Sequence, residues 1–302
     1  MNKSFLYTAI TIASSLFILG CEDDIFPSLD QTDPQVVVDA WITNKPETQR
    51  IYLSTTLPYF EAEQPPVVTG ATVSIIDNDG KVFGFIENEP GIYEWIPNAT
   101  DTVFGTIGNS YTLNIITDTL TISAVSTLNR VPIVDSVTFE FEEEDSFFPE
   151  GYYGEFFARD PIGPGDTYWI KSFKNGNYLN KPEELNIAFD AGFSEGGNID
   201  GLIFIPPIRD AVNPFDLDED DEIIVPYIPG DSLYVEIHSI SNDAFFFLNE
   251  LGIQTNRPGG FGEFFAVPLA NLPSNIQSNS ERSVLGFFNV AAVSGLGARV
   301  EE

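Results

Sequence analysis

Apolar and polar residues alternate along most of the chain, and a period of two is typical of β-strands with one buried face. The first alternating segment is 35–43, whose apolar face holds Val36, Val38, Ala40 and Ile42. Similar segments lie at 71–75, 111–115, 120–124 and 136–141. A DNDG turn at 77–80 follows the first of these and predicts a β-hairpin.

A Pro-Gly-Asp sequence occurs twice in the second half, at 164–166 and 229–231, each time before a run rich in aromatic and β-branched residues. Such turns followed by such runs predict the same kind of strand start, used twice within one sandwich. Residues 175–221, between the two, are rich in Gly, Pro and Asn and predict long loops with one strand at 202–205. Loops of this length are usually functional or mobile, so these loops are where we would look first if the protein binds a partner.

One helix is predicted at 242–252. Asn242 can cap its start and Gly252 can end it. The apolar residues between them follow helical spacing: Ala244, Phe247, Leu248 and Leu251. The segment lacks the basic face of a membrane-surface helix, so we expect it to pack against the core.

Together these patterns predict a mainly β protein with two β-sandwich domains, at 35–128 and 129–302. The first is expected to be immunoglobulin-like or transthyretin-like. The second is expected to be fibronectin-like, with the long loops and the one short helix. Residues 21–302 exceed the usual size of a single domain, which also favours two.

The N-terminus has the pattern of a processed secretory signal. Lys3 precedes fifteen uncharged residues at 5–19, fewer than the roughly 20 apolar residues that cross a bilayer. The sequence ILGC at 18–21 resembles a bacterial lipobox. It predicts a signal peptide at 1–20, Cys21 carrying a diacylglyceryl and an N-acyl (palmitate-type) chain, and a tether at 21–34. The alternative is a spare thiol in an ordinary signal peptide.

Three acids follow the cysteine directly: Glu22, Asp23 and Asp24. They resemble the acidic export signal of Bacteroidota surface lipoproteins and predict placement on the outer membrane, facing the cell exterior. The alternative is that any linker behind a lipid anchor is polar.

The chain carries 46 acids against 13 bases, a formal charge of -33. Phosphate binding needs clustered Lys and Arg, so nucleic acid is excluded as a partner. Anionic lipid would repel the body, and the membrane contact is therefore expected through the lipid anchor alone. Cys21 is the only cysteine, so lipidation leaves no thiol for a disulfide, a zinc site or a nucleophile.

No catalytic motif is present. His238 is the only histidine, and we expect a solvated strand residue, because it lies opposite the apolar face and lacks an adjacent G-x-S-x-G or H-E-x-x-H motif. We therefore expect no enzyme and no catalytic residue. The alternative is a carbohydrate-active or other hydrolytic surface protein with two carboxylates in an aromatic-lined cleft.

Residues 216–222 begin like a calcium loop, with Asp216, Asp218 and Asp220 at the first, third and fifth positions. Asp221 stands where an EF-hand needs Gly, and Tyr227 stands where it needs Glu. This excludes an EF-hand and leaves loosely bound calcium as an alternative. No other metal and no cofactor is expected.

Several short segments resemble a known family: PQVVVDAWIT at 34–43, PVVTGATV at 66–73, GIY at 91–93, VPIVD at 131–135 and LGFFNV at 285–290. They are similar to the Bacteroidota outer-membrane lipoproteins of domain-of-unknown-function family 4249. Members are often encoded beside TonB-dependent transporters. The resemblance implies a surface-exposed, non-enzymatic accessory or binding subunit of such a transporter or of another outer-membrane barrel. A structural or adhesive surface module is a further alternative.

Overall fold

The alternating pattern produces a mainly β structure, as the sequence predicts. The computed structural model describes residues 33–58, 61, 63–144, 148–219, 222–280 and 283–301. The predicted signal peptide, Cys21, the acids at 22–24 and nearly all of the tether lie outside the described residues.

The described residues form the following strands and α-helices: β1 (Val36–Thr43), β2 (Gln49–Thr55), β3 (Thr72–Asp77), β4 (Val82–Glu89), β5 (Ile92–Trp95), β6 (Ser110–Ile116), β7 (Thr121–Thr127), β8 (Val134–Glu142), β9 (Gly151–Ala158), β10 (Thr167–Lys174), β11 (Asn177–Tyr178), β12 (Asn186–Phe189), α1 (Pro206–Arg209), β13 (Ser232–Ile240), α2 (Asn242–Thr255), β14 (Gln277–Ser278), β15 (Leu285–Ala291) and β16 (Val293–Arg299). Short 3-10 helices lie at Pro182–Glu184 and Gly260–Phe265.

The larger sheet contains most strands of the first half and two from the end of the chain. Within the described residues its order is β14-β7-β6-β3-β4-β5-β2-β1-β15. Neighbours are antiparallel except β1 and β15, which run parallel. The sheet curls so far that β15 comes close to β7. The two strands are linked by a hydrogen bond from the Val290 amide to Ser126 Oγ at 3.0 Å. The curl encloses an apolar core that includes Ile42, Ile75 and Phe288.

The smaller sheet has β10 and β13 at its centre. Its order is β11-β10-β13-β16, and β12 pairs with the same edge of β10 as β11 does. The two strands that follow the Pro-Gly-Asp turns are thus antiparallel neighbours, with Thr167 opposite Ile240. The prediction of one strand start used twice is confirmed. Strands β8 and β9 form a separate ribbon.

Helix α2 lies where the sequence predicts a helix. Its N-cap is Ser241, whose Oγ accepts from the Ala244 amide at 3.2 Å, so Asn242 is not the cap. The helix continues three residues past Gly252 to Thr255. No helix in the described part of the chain combines the length and the apolarity needed to cross a bilayer.

The described part of the segment at 175–221, residues 175–219, contains more regular structure than the predicted long loops. It contains β11, β12 and α1, and it buries Phe204, Ile208 and Val212 completely or nearly so. The strand predicted at 202–205 is reduced to a single bridge between Ile203 and Arg159. Apolar residues spaced too irregularly for a strand pattern therefore anchor this segment to the core.

Residues Pro34–Glu302 form one compact unit. Its apolar residues fall into one cluster under each sheet and a third between them, where Phe287 of β15 meets Phe245 and Leu248 of α2. Because β14 and β15 complete the larger sheet, that sheet contains residues from both ends of the described chain. The division into domains at 35–128 and 129–302 stays a prediction.

The close approach of β15 to β1 depends on Gly286. Its φ is +97°, and a Cβ there would lie 1.9 Å from the backbone oxygen of Val38. Gly286→Ala must therefore separate the two strands, and we expect the free energy of unfolding in urea to fall by about 3 kcal/mol or more.

Gly70 provides the matched control. It also has a positive φ, +72°, but nothing lies within 4 Å of the position of a Cβ. Gly70→Ala should cost only about 1 kcal/mol, the usual strain of a left-handed residue. Equal losses for the two variants would contradict the role of the close approach.

Candidate functional site

A cleft lies where the larger and smaller sheets turn the faces opposite their main cores toward each other. Alternation along β10 buries Tyr168 and Ile170 in one core and turns Trp169 and Lys171 into the cleft. Asp39 and Trp41 of β1 face them from the other side. Period-two strands thus give each sheet a second face, and these second faces line the cleft.

The cleft has two adjoining chambers that share Asp39, Trp41 and Tyr178. The polar chamber, of about 410 Å³, is lined by Lys45, Lys171, Glu236 and His238 among others. The apolar chamber, of about 540 Å³, is lined by Leu185, Phe247, Leu251 and Phe287 among others. These volumes are in the range of small-molecule sites.

A buried ionic network forms one wall of the polar chamber. Glu236 is 4% exposed; its Oε1 accepts from Lys45 Nζ at 2.7 Å, and its Oε2 lies 2.9 Å from His238 Nε2. Burial raises the pKa of Glu236, but the hydrogen bonds from His238 and Lys45 outweigh it and lower the pKa to about 2. The carboxylate is therefore ionised, and both of its oxygens are occupied.

His238 differs from the sequence expectation. The prediction of a solvated strand histidine is wrong, because β1 and β2 cover this face of β13 and leave the side chain 5% exposed. Burial lowers the pKa of His238 to about 4, although Glu236 opposes the shift. The ring is neutral at pH 7, and its Nε2–H donates to Glu236.

Lys171 presents a positive charge to the polar chamber. Its Nζ lies 3.8 Å from the ring centroid of Trp169 and 5.6 Å from that of Tyr178, which are cation–π contacts. No carboxylate of the described residues lies within salt-bridge distance of this amine. Burial lowers the pKa of Lys171 to about 8.

Asp39 lies where the two chambers meet. Its side chain has access to solvent, but the surrounding protein raises its pKa by desolvation, against the opposing effects of Lys171 and Trp41. Asp39 and Lys171 therefore interact electrostatically without a direct ion pair. The cleft holds one acid and one base that are both open to a ligand.

Aromatic side chains make the wall of the cleft rigid. Trp41 packs edge-on against Trp169 at 5.2 Å between centroids and stacks on Phe287 at 5.7 Å. Phe247 of α2 continues the row at 5.0 Å from Phe287. The sequence does not distinguish these aromatics from core residues in general. For Trp41 it gives one indication, because the alternation of β1 places this residue on the face opposite the buried Ala40 and Ile42.

A small cavity of about 20 Å³ lies behind Trp41 and His238. It is lined by Asn289 of β15, whose Oδ1 accepts from the Ser241 amide at 3.0 Å. The buried Nδ2 of Asn289 has no hydrogen-bond partner among the described residues. The space is large enough for one water molecule that would bind this amide.

A second group of acids lies on the smaller sheet's side of the molecule. Carboxylate oxygens of Asp160, Asp190 and Asp200 lie within 4.8 Å of one another, an oxygen set that a hard cation such as Ca²⁺ prefers. The same carboxylates also hold local structure: Asp160 Oδ1 accepts from Tyr168 Oη at 2.6 Å, and Asp190 Oδ1 accepts from the Gly165 amide at 2.7 Å. Local sequence spacing could not reveal this group.

The sequence-predicted calcium residues lie elsewhere. Asp216 forms an ion pair with Lys181, and Asp218 Oδ1 accepts from the Glu222 amide at 2.9 Å. Asp220 lies outside the described residues, as do Cys21 and the acids at 22–24. Calcium at 216–220 and lipid at Cys21 stay predictions.

An exposed apolar ridge, which no sequence pattern predicts, lies in the segment after α2. We use the name Phe ridge for five side chains that are 58–82% exposed: Phe261, Phe264, Phe265, Val267 and Leu269. Phe261 contacts the other two rings at 5.9 and 5.7 Å between centroids. Arg257 fixes the loop by pairing with Glu263 and donating to the Val267 carbonyl at 2.8 Å.

The buried His238 makes stability depend on pH. The unfolded chain binds a proton at pH values between about 6.5 and about 4, where the folded ring stays neutral, so stability should fall as pH decreases through this window. His238→Gln keeps a donor for Glu236 but does not titrate. We expect its melting temperature to fall less than that of the wild type between pH 6.5 and 5.

NMR titration measures the same group directly, because the chain has a single histidine. An untagged sample should show ring shifts that titrate below pH 5. A pKa near 6.5, or identical pH profiles of melting temperature for both proteins, would contradict the buried network.

No curated protein matches this chain. A family model described as Domain of unknown function (DUF4249) matches residues 22–295, which include the larger sheet, the cleft, the Phe ridge and all strands of the smaller sheet except most of β16. The chain therefore belongs to the DUF4249 family.

Proposed function

We propose that the protein is a non-enzymatic binding subunit of the bacterial outer membrane, of the Bacteroidota lipoprotein type. Lipid on Cys21 anchors it, and the acids at 22–24 direct it to the cell exterior. There it docks on an outer-membrane β-barrel, a TonB-dependent transporter. The observation that carries the proposal is the Phe ridge, an apolar surface on a strongly anionic molecule.

The ridge has the composition of an interface centre. Phe261, Phe264 and Phe265 are 78, 82 and 79% exposed within one 3-10 helix. Exposed apolar clusters of this kind mark binding surfaces, and aromatic residues are enriched at interface cores. Burying three Phe side chains contributes roughly 6 kcal/mol before the costs of association.

The lipid anchor supplies what the ridge lacks. Association of two free proteins costs at least about 4 kcal/mol of lost translational and rotational freedom, which would offset most of that gain. Confinement of both partners to one membrane raises their effective concentration and reduces this cost. A small apolar ridge is therefore sufficient for a partner in the same membrane.

The negative charge of the chain limits the kind of partner that can bind the ridge. A formal charge of -33 disfavours insertion of the ridge into anionic lipid. A protein surface with an apolar centre and a neutral or basic rim fits the ridge better. The exterior loops of a barrel can present such a surface.

The cleft supports binding more than catalysis. The hydrolytic alternative requires two carboxylates in an aromatic-lined cleft, and Asp39 and Glu236 do line one cleft. Both oxygens of Glu236 are held by Lys45 and His238, however, which leaves neither free to act on a substrate. Within the described residues, the hydrogen-bond partner of the neutral His238 is Glu236, and no hydroxyl or thiol hydrogen-bonds to this ring to be activated.

If the Phe ridge is the docking surface, substitutions in it should reduce binding of the barrel partner. In the native host, affinity purification of the tagged protein from outer membranes in mild detergent should recover a β-barrel identified by mass spectrometry. The triple variant Phe261→Ser, Phe264→Ser, Phe265→Ser should reduce this recovery about tenfold or more, because aromatic anchors carry most interface energy.

The matched control replaces three apolar residues of similar exposure elsewhere on the surface: Ile86, Ile133 and Ile162. The corresponding triple Ser variant should recover the barrel as well as the wild type does. Equal recovery with the ridge variant, or no barrel with the wild type, would contradict the docking proposal.

Cys21→Ser in the same cells should release the protein from the membrane fraction.

A further inference from the structure

The charged residues that line the cleft are balanced in sign, whereas the whole chain carries a large excess of acids. The acidic and basic residues that line its two chambers, leaving out the neutral His238, are equal in number: Asp39, Glu47, Glu184 and Glu236 against Lys45, Arg50, Lys171 and Lys181. The whole chain has 46 acids and 13 bases. The lining is therefore much less anionic than the chain as a whole, which favours a ligand without a large net charge.

Most of these charges already have partners. Lys45 pairs with Glu236 and Glu47, Arg50 with Glu94, and Lys181 with Asp216. Lys171 has only its aromatic contacts, and among the described residues Asp39 has no ion pair within salt-bridge distance. A positive and a negative group therefore remain available at neighbouring positions.

A second acceptor also lacks a donor. Glu184 Oε2 accepts from the Lys181 amide at 2.8 Å. Its Oε1 is buried and has no hydrogen-bond partner among the described residues, and Glu184 lines the apolar chamber. A buried carboxylate oxygen of this kind is costly to leave unpaired. Together with Asp39, this oxygen favours a ligand that carries an ammonium over one that carries only a carboxylate.

The two open charges exclude simpler ligands. A plain carboxylate would gain from Lys171 but would be repelled by Asp39, and a plain amine would meet the opposite balance. A molecule with an ammonium beside a carboxylate gains from both. Asp39 and Lys171 interact electrostatically, line the same chamber and form no ion pair with each other, so each can pair with one end of an α-amino acid head.

The apolar chamber provides for the rest of the ligand. It adjoins the polar chamber through Asp39 and Trp41, and its walls include Phe247, Leu251 and Phe287. A side chain bound there would be buried against rigid aromatic rings. We propose that the cleft binds an apolar α-amino acid as its zwitterion, with the carboxylate at Lys171, the ammonium at Asp39 and the side chain in the apolar chamber.

This site is separate from the docking surface, because the cleft and the Phe ridge share no lining residue. Amino-acid binding by the isolated protein does not require a barrel. The two proposals therefore fail on different experiments.

Titration calorimetry on the purified full chain in detergent tests the ligand class, with L-phenylalanine as the probe. N-acetyl-L-phenylalanine lacks the ammonium, L-phenylalaninamide lacks the carboxylate, and glycine lacks the side chain. We expect L-phenylalanine to bind with sub-millimolar affinity and each of the three analogues to bind about tenfold or more weakly.

Variants assign each end of the ligand to its residue. Lys171→Met should lose the preference for L-phenylalanine over its amide, and Asp39→Asn should lose the preference over the N-acetyl compound. Lys81→Met, at a lysine paired with Asp101 outside the cleft, should keep the wild-type profile. Melting temperatures establish that each variant is folded.

Absence of binding by the wild type at about 10 mM L-phenylalanine, some tenfold above the predicted limit, would overturn the proposal. So would an unchanged preference in a folded Lys171→Met protein. If that variant does not fold, the ranking of the four compounds by the wild-type protein decides the question.

Discussion

The parallel pairing of β1 with β15 is the interaction on which the rest of the structure depends. It joins residues near the two ends of the described chain, with Val37 opposite Leu285 and Thr43 opposite Ala291. The pairing completes the larger sheet on one face and delivers Phe287 to the aromatic wall on the other. Strand β16 follows directly and pairs with β13, so the same stretch of chain links both sheets.

This link turns two ordinary strand faces into a site. Residues that alternate with the core on β10 and β13 would face water if the smaller sheet stood alone. The larger sheet covers them, which buries Glu236 and His238 and desolvates Lys171. Both carboxylate oxygens of Glu236 are bound within the buried network, whereas Lys171 and Asp39 have no ion pair among the described residues. This difference between the buried Glu236 and the two open groups supports the proposal of a binding role.

Local patterns could predict the strands, the hairpin at 77–80 and helix α2, because each leaves its period in adjacent residues. Contacts distant in sequence leave no such trace. The sequence therefore predicted a solvated His238, missed the parallel partner of β1, and could not separate the exposed Phe261 from core aromatics. Family membership came from short motifs, none of which marks the cleft. Site residues paired across sheets require the tertiary structure.

The pKa of the Lys171 amine tests whether the larger sheet covers this face of β10. Competitive acetylation across pH, read by mass spectrometry of the peptide that contains this residue, reports the pKa of its amine. We expect a midpoint near 8, because burial in the cleft lowers the pKa of Lys171. A midpoint near 10.5, the value of an exposed lysine, would show that the two sheets do not meet there.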